Sequence, residues 1–319
     1  MRKWSLCFAA SVLLGQAAMA AEPFCQDRGD NLRVTILGSG TPFPTIERFG
    51  PSTLIEAGGQ KLVVDAGRGV TQRLWQLGIP IGSIDAVLLT HLHSDHTVGL
   101  PDVMLMGWLP PAFGRRTVPL ALYGPEMSSE LARGIEAAWA RDIEIRAEDE
   151  DLDPAAAKFQ VTEIEPGLVY DKDGLRITAF PVDHGALITP SYGYRIEYKD
   201  HVAVISGDTR YDERVAQQAA GAGLLLHAVI GFKPSTIAAH PQLQRIVDHM
   251  ASTSDVNRIA RAAKAELTVL THITQMPPDP PSLDEMLAEI RQDYSGRVEM
   301  GKDLFCIDIG EEVNSGMRE

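Results

Sequence analysis

A chain of 319 residues, 45% apolar and 23% charged, is long enough to bury a large core, and its composition excludes a disordered or fibrous protein. A formal charge of −14, with no basic run longer than Arg115-Arg116, argues against a broad polyanion-binding surface. No linker or fixed-period repeat divides the chain, so one large domain is expected.

Residues 1–20 stand apart. Arg2 and Lys3 precede an apolar stretch from Leu6 to Leu14, and Ala18-Met-Ala20 precedes Ala21, the pattern of a secretory signal peptide. The apolar run is short for a membrane span. The expectation is a signal at 1–20 and a mature domain at 21–319, periplasmic or secreted, with no stable membrane insertion after cleavage. Cys7 leaves with the signal. Cys25 and Cys306 remain near the two ends; an oxidising compartment permits a disulfide between them, and two unrelated buried thiols is the other reading.

Leu32 to Leu37 reads as a strand, followed by the small-residue turn Gly38-Ser-Gly40-Thr-Pro42. Ser52–Ala57 and Lys61–Asp65 read as a hairpin about Gly58-Gly59. A helix near Val70–Leu77 leads to the strand Ile84–Thr90. Beyond it, Ser128 or Ser129 caps a helix to about Arg141, and the acidic stretch Glu148–Asp153 marks a loop. Strands follow at Gly174–Phe180, Tyr192–Tyr198 and His201–Ser206. A helix near Asp255–Lys264 precedes the strand Leu267–Thr271, which ends at His272; a helix near Ser282–Tyr294 and a strand near Cys306 complete the chain. The pattern is α/β in two similar halves, a four-layer α/β/β/α sandwich.

Chemistry concentrates in His91-Leu-His93-Ser-Asp95-His96, four good metal ligands within six residues at the end of a strand. Imidazole with carboxylate suits Zn²⁺, with Mn²⁺ or Fe as substitutes. Further ligands must come from elsewhere. His184, Asp208 and His272 each stand where a strand ends, the place an α/β fold puts its sites. His201 and His240 read as surface residues. Tyr194 reads as a packing residue or a substrate contact, and Met104, Met106 and Trp108 as core or a pocket wall.

The order His91-X-His93-X-Asp95-His96, His184, Asp208, His272, preceded by Val63-Val-Asp65-Ala-Gly, resembles the motif order of the metallo-β-lactamase superfamily, and most closely its ribonuclease Z and arylsulfatase-like branch. The resemblance implies the metallo-β-lactamase sandwich and two divalent metal ions about 3.5 to 4 Å apart sharing a hydroxide nucleophile. It places His91, His93 and His184 on one metal and Asp95, His96 and His272 on the second, with Asp208 bridging and Asp65 orienting a ligand. It also offers His249 as general acid beside the catalytic Asp95 and Asp208. The branch carries Glu after the residue matching His227; here that residue is Ala228, which removes an orienting partner for His249.

Asp208 argues against a true β-lactamase, which lacks that residue. From His184 to Asp208 the chain has room for two strands and no long tRNA-gripping arm, so tRNA is not an expected partner. The expected partner is a small-molecule ester, with homodimerisation left open. Likeness around Gly50–Gly59, Asp65–Gly69 and Ser206–Arg210 puts sulfate-ester hydrolysis first. Phosphodiester hydrolysis, of cyclic nucleotides or ribonuclease Z-like, is the alternative, and a non-catalytic metal-binding protein a third reading.

Overall fold

The computed structural model describes residues 25, 29, 31–110, 112 and 114–318; the signal expected at 1–20 lies outside them. The first half contains β1 (Leu32–Gly38), β2 (Ser52–Ala57), β3 (Gln60–Val64), α1 (Val70–Gln76), β4 (Ala86–Leu88), α2 (Ser94–Thr97), α3 (Leu100–Trp108), β5 (Leu120–Gly124), α4 (Ser128–Asp149) and β6 (Phe159–Glu163). The second contains β7 (Gly167–Lys172), β8 (Leu175–Pro181), β9 (Tyr192–Tyr198), β10 (His201–Ile205), α5 (Glu213–Gln218), β11 (Leu224–Gly231), α6 (Pro234–Ala239), α7 (Gln244–Val247), α8 (Thr253–Ala263), β12 (Leu267–Gln275), α9 (Leu283–Ile290) and β13 (Arg297–Met300). β14 (Phe305–Ile309) and β15 (Val313–Met317) return to the first half.

Two sheets result. One runs β15-β14-β1-β2-β3-β4-β5-β6 and the other β13-β12-β11-β10-β9-β8-β7. Strands such as Leu32–Gly38 and Leu224–Gly231 are buried along their whole length, because each sheet is covered on both faces. Between the sheets, Leu32, Val34 and Ile36 of β1 pack with Ile177, Tyr194, Ile196, Leu224 and Leu226 of the opposite sheet. The outer face of the first sheet packs on α1, α3 and α4 through Leu74, Val103 and Ile135. The outer face of the second packs on α5, α8 and α9 through Val215, Ile259 and Met286. The arrangement is the expected α/β/β/α sandwich. α8 shows why its sequence is helical: Val256, Ile259, Ala260 and Ala263 form one buried stripe, and a capping box between Ser252 and Asp255 satisfies its first turn.

Several boundaries differ from expectation for identifiable reasons. α4 continues past Arg141 to Asp149, because Arg146 pairs with Asp142 at 3.2 Å and Glu150 at 2.9 Å, so much of the acidic stretch belongs to the helix. β4 is only three residues long, because the backbone of Thr90 turns to donate to Asp65 instead of a neighbouring strand. β12 does not end at His272: it runs to Gln275, with a bulge that places Ala228 opposite Thr271 and Val229 opposite Ile273. His272 is the extra residue, at φ 43°. Such a bulge re-aims one side chain without ending the strand.

Trp108 and Met104 are buried core, with Trp108 Nε1 donating to the Asp153 carbonyl at 2.9 Å. Tyr194 is a packing residue whose hydroxyl donates to the Leu89 carbonyl at 2.6 Å. Cys25 and Cys306 form a disulfide across 281 positions of sequence, with their Cα atoms 6.4 Å apart. It ties the segment before β1 to β14, the strand paired with β1. No helix among the described residues is long and apolar enough to cross a membrane.

Candidate metal centre

The seven residues singled out in the sequence converge at one edge of the seam between the two sheets. His91, His93, Asp95 and His96 come from the turn after β4 and from α2, on the first sheet. The second sheet supplies His184 after β8, Asp208 after β10 and the bulged His272 of β12. Gly207 makes one approach possible: it has φ 61°, and a Cβ there would lie 2.5 Å from the Tyr192 carbonyl oxygen, so only glycine turns the chain tightly enough to deliver Asp208.

The donor atoms fall into overlapping groups: His91, His93 and His184; His91, His96 and Asp208; Asp95, His96 and His272. Within the first, His93 Nδ1 lies 2.9 Å from His91 Nε2 and 3.3 Å from His184 Nε2. In the last, His272 Nε2 is 3.3 Å from Asp95 Oδ2, and His96 Nε2 is 3.6 Å from the same oxygen. Asp208 Oδ2 stands between the groups, 3.7 Å from His184 Nε2, 3.5 Å from His96 Nε2 and 3.2 Å from His272 Nε2. That is the position a bridging carboxylate needs.

The inner nitrogens are aimed by bonds on the outer ones. Asp65 Oδ2 accepts from His96 Nδ1 at 2.8 Å, while its two oxygens also accept from the Thr90 amide and hydroxyl, both at 2.8 Å. Thr90 Oγ1 contacts His91 Nδ1 at 3.0 Å, and the His249 carbonyl accepts from His184 Nδ1 at 2.8 Å. Each ring therefore turns its Nε2 inward. Such outer partners hold ligand imidazoles in one tautomer and orientation.

The electrostatics fit a cation. Asp95 and Asp208 are 5% and 4% exposed, and burying two carboxylates so close together is costly without positive charge between them. His96 Nε2 is fully buried and has no hydrogen-bond partner. His96, Asp208 and His272 line a small cavity of about 30 Å³. Burial, with neighbouring His96, holds the His91 imidazole well below its ordinary value, and burial lowers His93 and His184 too, so this group presents neutral imidazoles. His96 goes the other way: burial opposes its charge, but Asp65 and Asp208 outweigh burial and raise it well above the ordinary value. For Asp208 burial is outweighed by His272 and His96, which hold it well below the usual carboxylate range. Three imidazoles on one side, and two imidazoles with a carboxylate on the other, form donor sets suited to Zn²⁺.

His249 stands at the rim. Its ring is partly exposed and lies 5.9 Å, centroid to centroid, from that of His184. Ala228 packs with Ile230, Val247 and Met250, so no carboxylate approaches His249 from that position. His227 is fully buried under the outer face of the second sheet, with Nδ1 2.6 Å from the Ala228 carbonyl oxygen. His201 and His240 are partly exposed. Two contributors are not evident in the sequence: Thr90, which links Asp65 to His91, and Arg210, close to His249. Thr90 precedes the histidine run directly, the one available signal for it.

Residues 32–252 match the family described as anti-Pycsar protein Apyc1. Ribonuclease Z from Mycobacterium marinum (strain ATCC BAA-535 / M) is 36% identical over 284 residues, covering 87% of this chain and 99% of that protein. Among solved structures, the metallo-β-lactamase fold protein YhfI from Bacillus subtilis superposes with a TM-score of 0.67 at 21% identity, covering 88% of this chain and all of that one. A diphosphatase from the PhnP family superposes with a TM-score of 0.63 at 21% identity, covering 89% and 100%.

Proposed function

Since the chain belongs to the metallo-β-lactamase superfamily, in its ribonuclease Z-like branch and the Apyc1 family, we propose that this metal-dependent hydrolase of ester bonds cleaves small phosphodiesters. The observation that carries the reading is the convergence of seven donor side chains, with Asp208 Oδ2 among them within 3.7 Å of His184, His96 and His272 nitrogens. Sulfate esters, placed first from sequence, give way to the phosphodiester alternative, because the relatives are named ribonuclease and diphosphatase.

Two divalent ions, zinc by the donor chemistry, would supply Lewis acidity and a nucleophile drawn from water at neutral pH. The chain's own residues do the rest. Asp65 and Thr90 hold His96 and His91 in register, and the His249 carbonyl fixes His184. The His249 ring, at the rim and off the donor set, gives its proton to the leaving oxygen as the ester bond breaks.

A small substrate is supported over tRNA by the net charge of −14 and by the short segment from His184 to Asp208, which holds only β9, β10 and their connections. The segment weighs less than the charge, since the mycobacterial ribonuclease Z aligns over 99% of its own length. Export to an oxidising compartment is supported by the Cys25–Cys306 disulfide. tRNA 3′ processing is the second reading, favoured by the name of that relative.

The test is purification of the mature chain, metal analysis, and parallel turnover of bis(4-nitrophenyl) phosphate, 4-nitrophenyl sulfate, a lactone and a precursor tRNA. The expected result is about two metals per chain and fastest turnover of the diester. Preferred tRNA cleavage would establish the second reading, and metal-free protein with no ester turned over would overturn both.

A further inference from the structure

We propose that Arg210 is an anion-holding residue that makes this site select charged esters over neutral ones; the inference rests on the phosphodiester reading. Arg210 follows Asp208 by two residues, and its amide donates to the Asp183 carbonyl at 2.9 Å. Its Nε lies 3.2 Å from Asp183 Oδ1, which steers the guanidinium sideways across Gly185. A Cβ built on Gly185 would stand 3.4 Å from Arg210 Nη2, 3.5 Å from His249 Nε2 and 3.2 Å from His249 Cδ2. The guanidinium and the imidazole edge therefore border one small volume beside His184.

Gly185 keeps that volume free. It has φ +111°, and any side chain there would fill the space between the Arg210 guanidinium and the His249 ring. Asp183 organises the arrangement, since its Oδ1 also accepts from the Gly185 amide at 3.0 Å. One carboxylate thus contacts both the Gly185 amide and the Arg210 guanidinium that borders the volume. The Arg210 side chain remains 42% exposed, so an arriving ligand can reach it.

The chemistry follows from this placement. A guanidinium offers N–H groups in a fixed plane, matched to the oxygens of a phosphate group. The whole chain carries −14, so an anionic substrate approaches against a repulsive field unless a local cation offsets it. Arg210 meets a non-bridging phosphate oxygen, and His249, across Gly185, meets the leaving-group oxygen. A neutral ester gains nothing from Arg210. Asp183 is a positioning residue and touches no substrate.

The experiment compares metal-loaded wild type with Arg210→Met and Arg210→Lys. Calorimetry with inorganic phosphate should show about 10- to 100-fold weaker binding in Arg210→Met, with partial recovery in Arg210→Lys. The kcat/KM for bis(4-nitrophenyl) phosphate should fall by the same order, while that for neutral 4-nitrophenyl acetate stays within about twofold. Asp183→Asn should lose less than Arg210→Met, and Asp183→Glu should recover that loss. Should Arg210→Met lose metal, Arg210→Lys carries the comparison. Unchanged phosphate affinity, or equal losses on charged and neutral esters, would overturn the proposal. A wild type whose phosphate binding depends on Arg210 but which cleaves no diester would leave this inference standing and remove the phosphodiester reading.

Discussion

Asp65 is the sharpest place to test whether the rings of the centre are held from behind. Its side chain accepts three bonds of 2.8 Å, from the Thr90 amide, the Thr90 hydroxyl and His96 Nδ1, at a position only 5% exposed. Asp65→Ala leaves those donors buried and frees the His96 ring. Removing one partner of a buried charged network costs about 3 to 5 kcal/mol. The backbone adds to this, since residue 65 sits at φ 59°, which Ala tolerates less well than Asp or Asn. Asp65→Asn keeps the shape and an oxygen for the Thr90 amide, so its main loss is the charge facing His96. For that variant the expected cost is about 10- to 100-fold in metal affinity with a modest loss of stability. Zinc affinity by competition with a chromophoric chelator, and melting curves with excess zinc or excess chelator, separate the two effects. An Asp65→Asn protein holding zinc within about twofold of wild type would refute the orienting role.

Three further outcomes are expected. His249→Ala should lose about 10²- to 10⁴-fold on diesters with alkoxide leaving groups and far less on those releasing 4-nitrophenolate, which needs no proton; equal loss across leaving groups means His249 is not the acid. Asp212 accepts from the Asp183 and Arg214 amides at 3.0 and 2.9 Å, and from the Arg214 guanidinium at 2.6 Å. Burial opposes its ionisation, but the bonds from Arg214 prevail and hold its carboxyl below the ordinary value. With the folded value depressed, this contribution is complete above an unfolded carboxylate value of about 4 and disappears as pH falls through the folded value. Asp212→Asn should therefore be less stable at pH 7 and lose less between about pH 5 and pH 3 than wild type; parallel acid-unfolding curves would refute this. Replacing Cys25 and Cys306 by Ser should cost about 2 to 5 kcal/mol, lowering Tm by on the order of 10 °C while metal content is unchanged. An unaltered Tm would show that the bond constrains little.

Much of the centre is legible in the sequence because its chemistry is local: three histidines and an aspartate crowded into the run His91–His96 leave little room for a purely structural role, and His184 and Asp208 stand beside the glycines Gly185 and Gly207 that mark turns. The layered fold is equally readable, since alternating strands and helices permit few packings. What escapes depends on partners distant in sequence. Nothing near His272 announces a bulge; it arises from the register of β12 against β11, a property of two strands separated along the chain by α6, α7 and α8. The continuation of α4 past Arg141 rests on ion pairs that look, in sequence, like an acidic loop. Arg210 reads in sequence only as part of a turn, and its place beside His249 is set by Asp183, two strands earlier.

The division of donors between the sheets has a consequence for assembly of the molecule. Neither half of the chain owns a complete set: the β1–β6 half holds His91, His93, Asp95 and His96, and the β7–β13 half holds His184, Asp208 and His272. β14 and β15, which belong to the first sheet, come last in the chain. A growing polypeptide therefore cannot finish the donor set until β12 arrives, or the first sheet until β14 and β15 arrive, and a cation captured by the first half alone would meet an open, weakly binding cluster. Loading late, after the sheets have closed, makes the ion a reporter of correct folding.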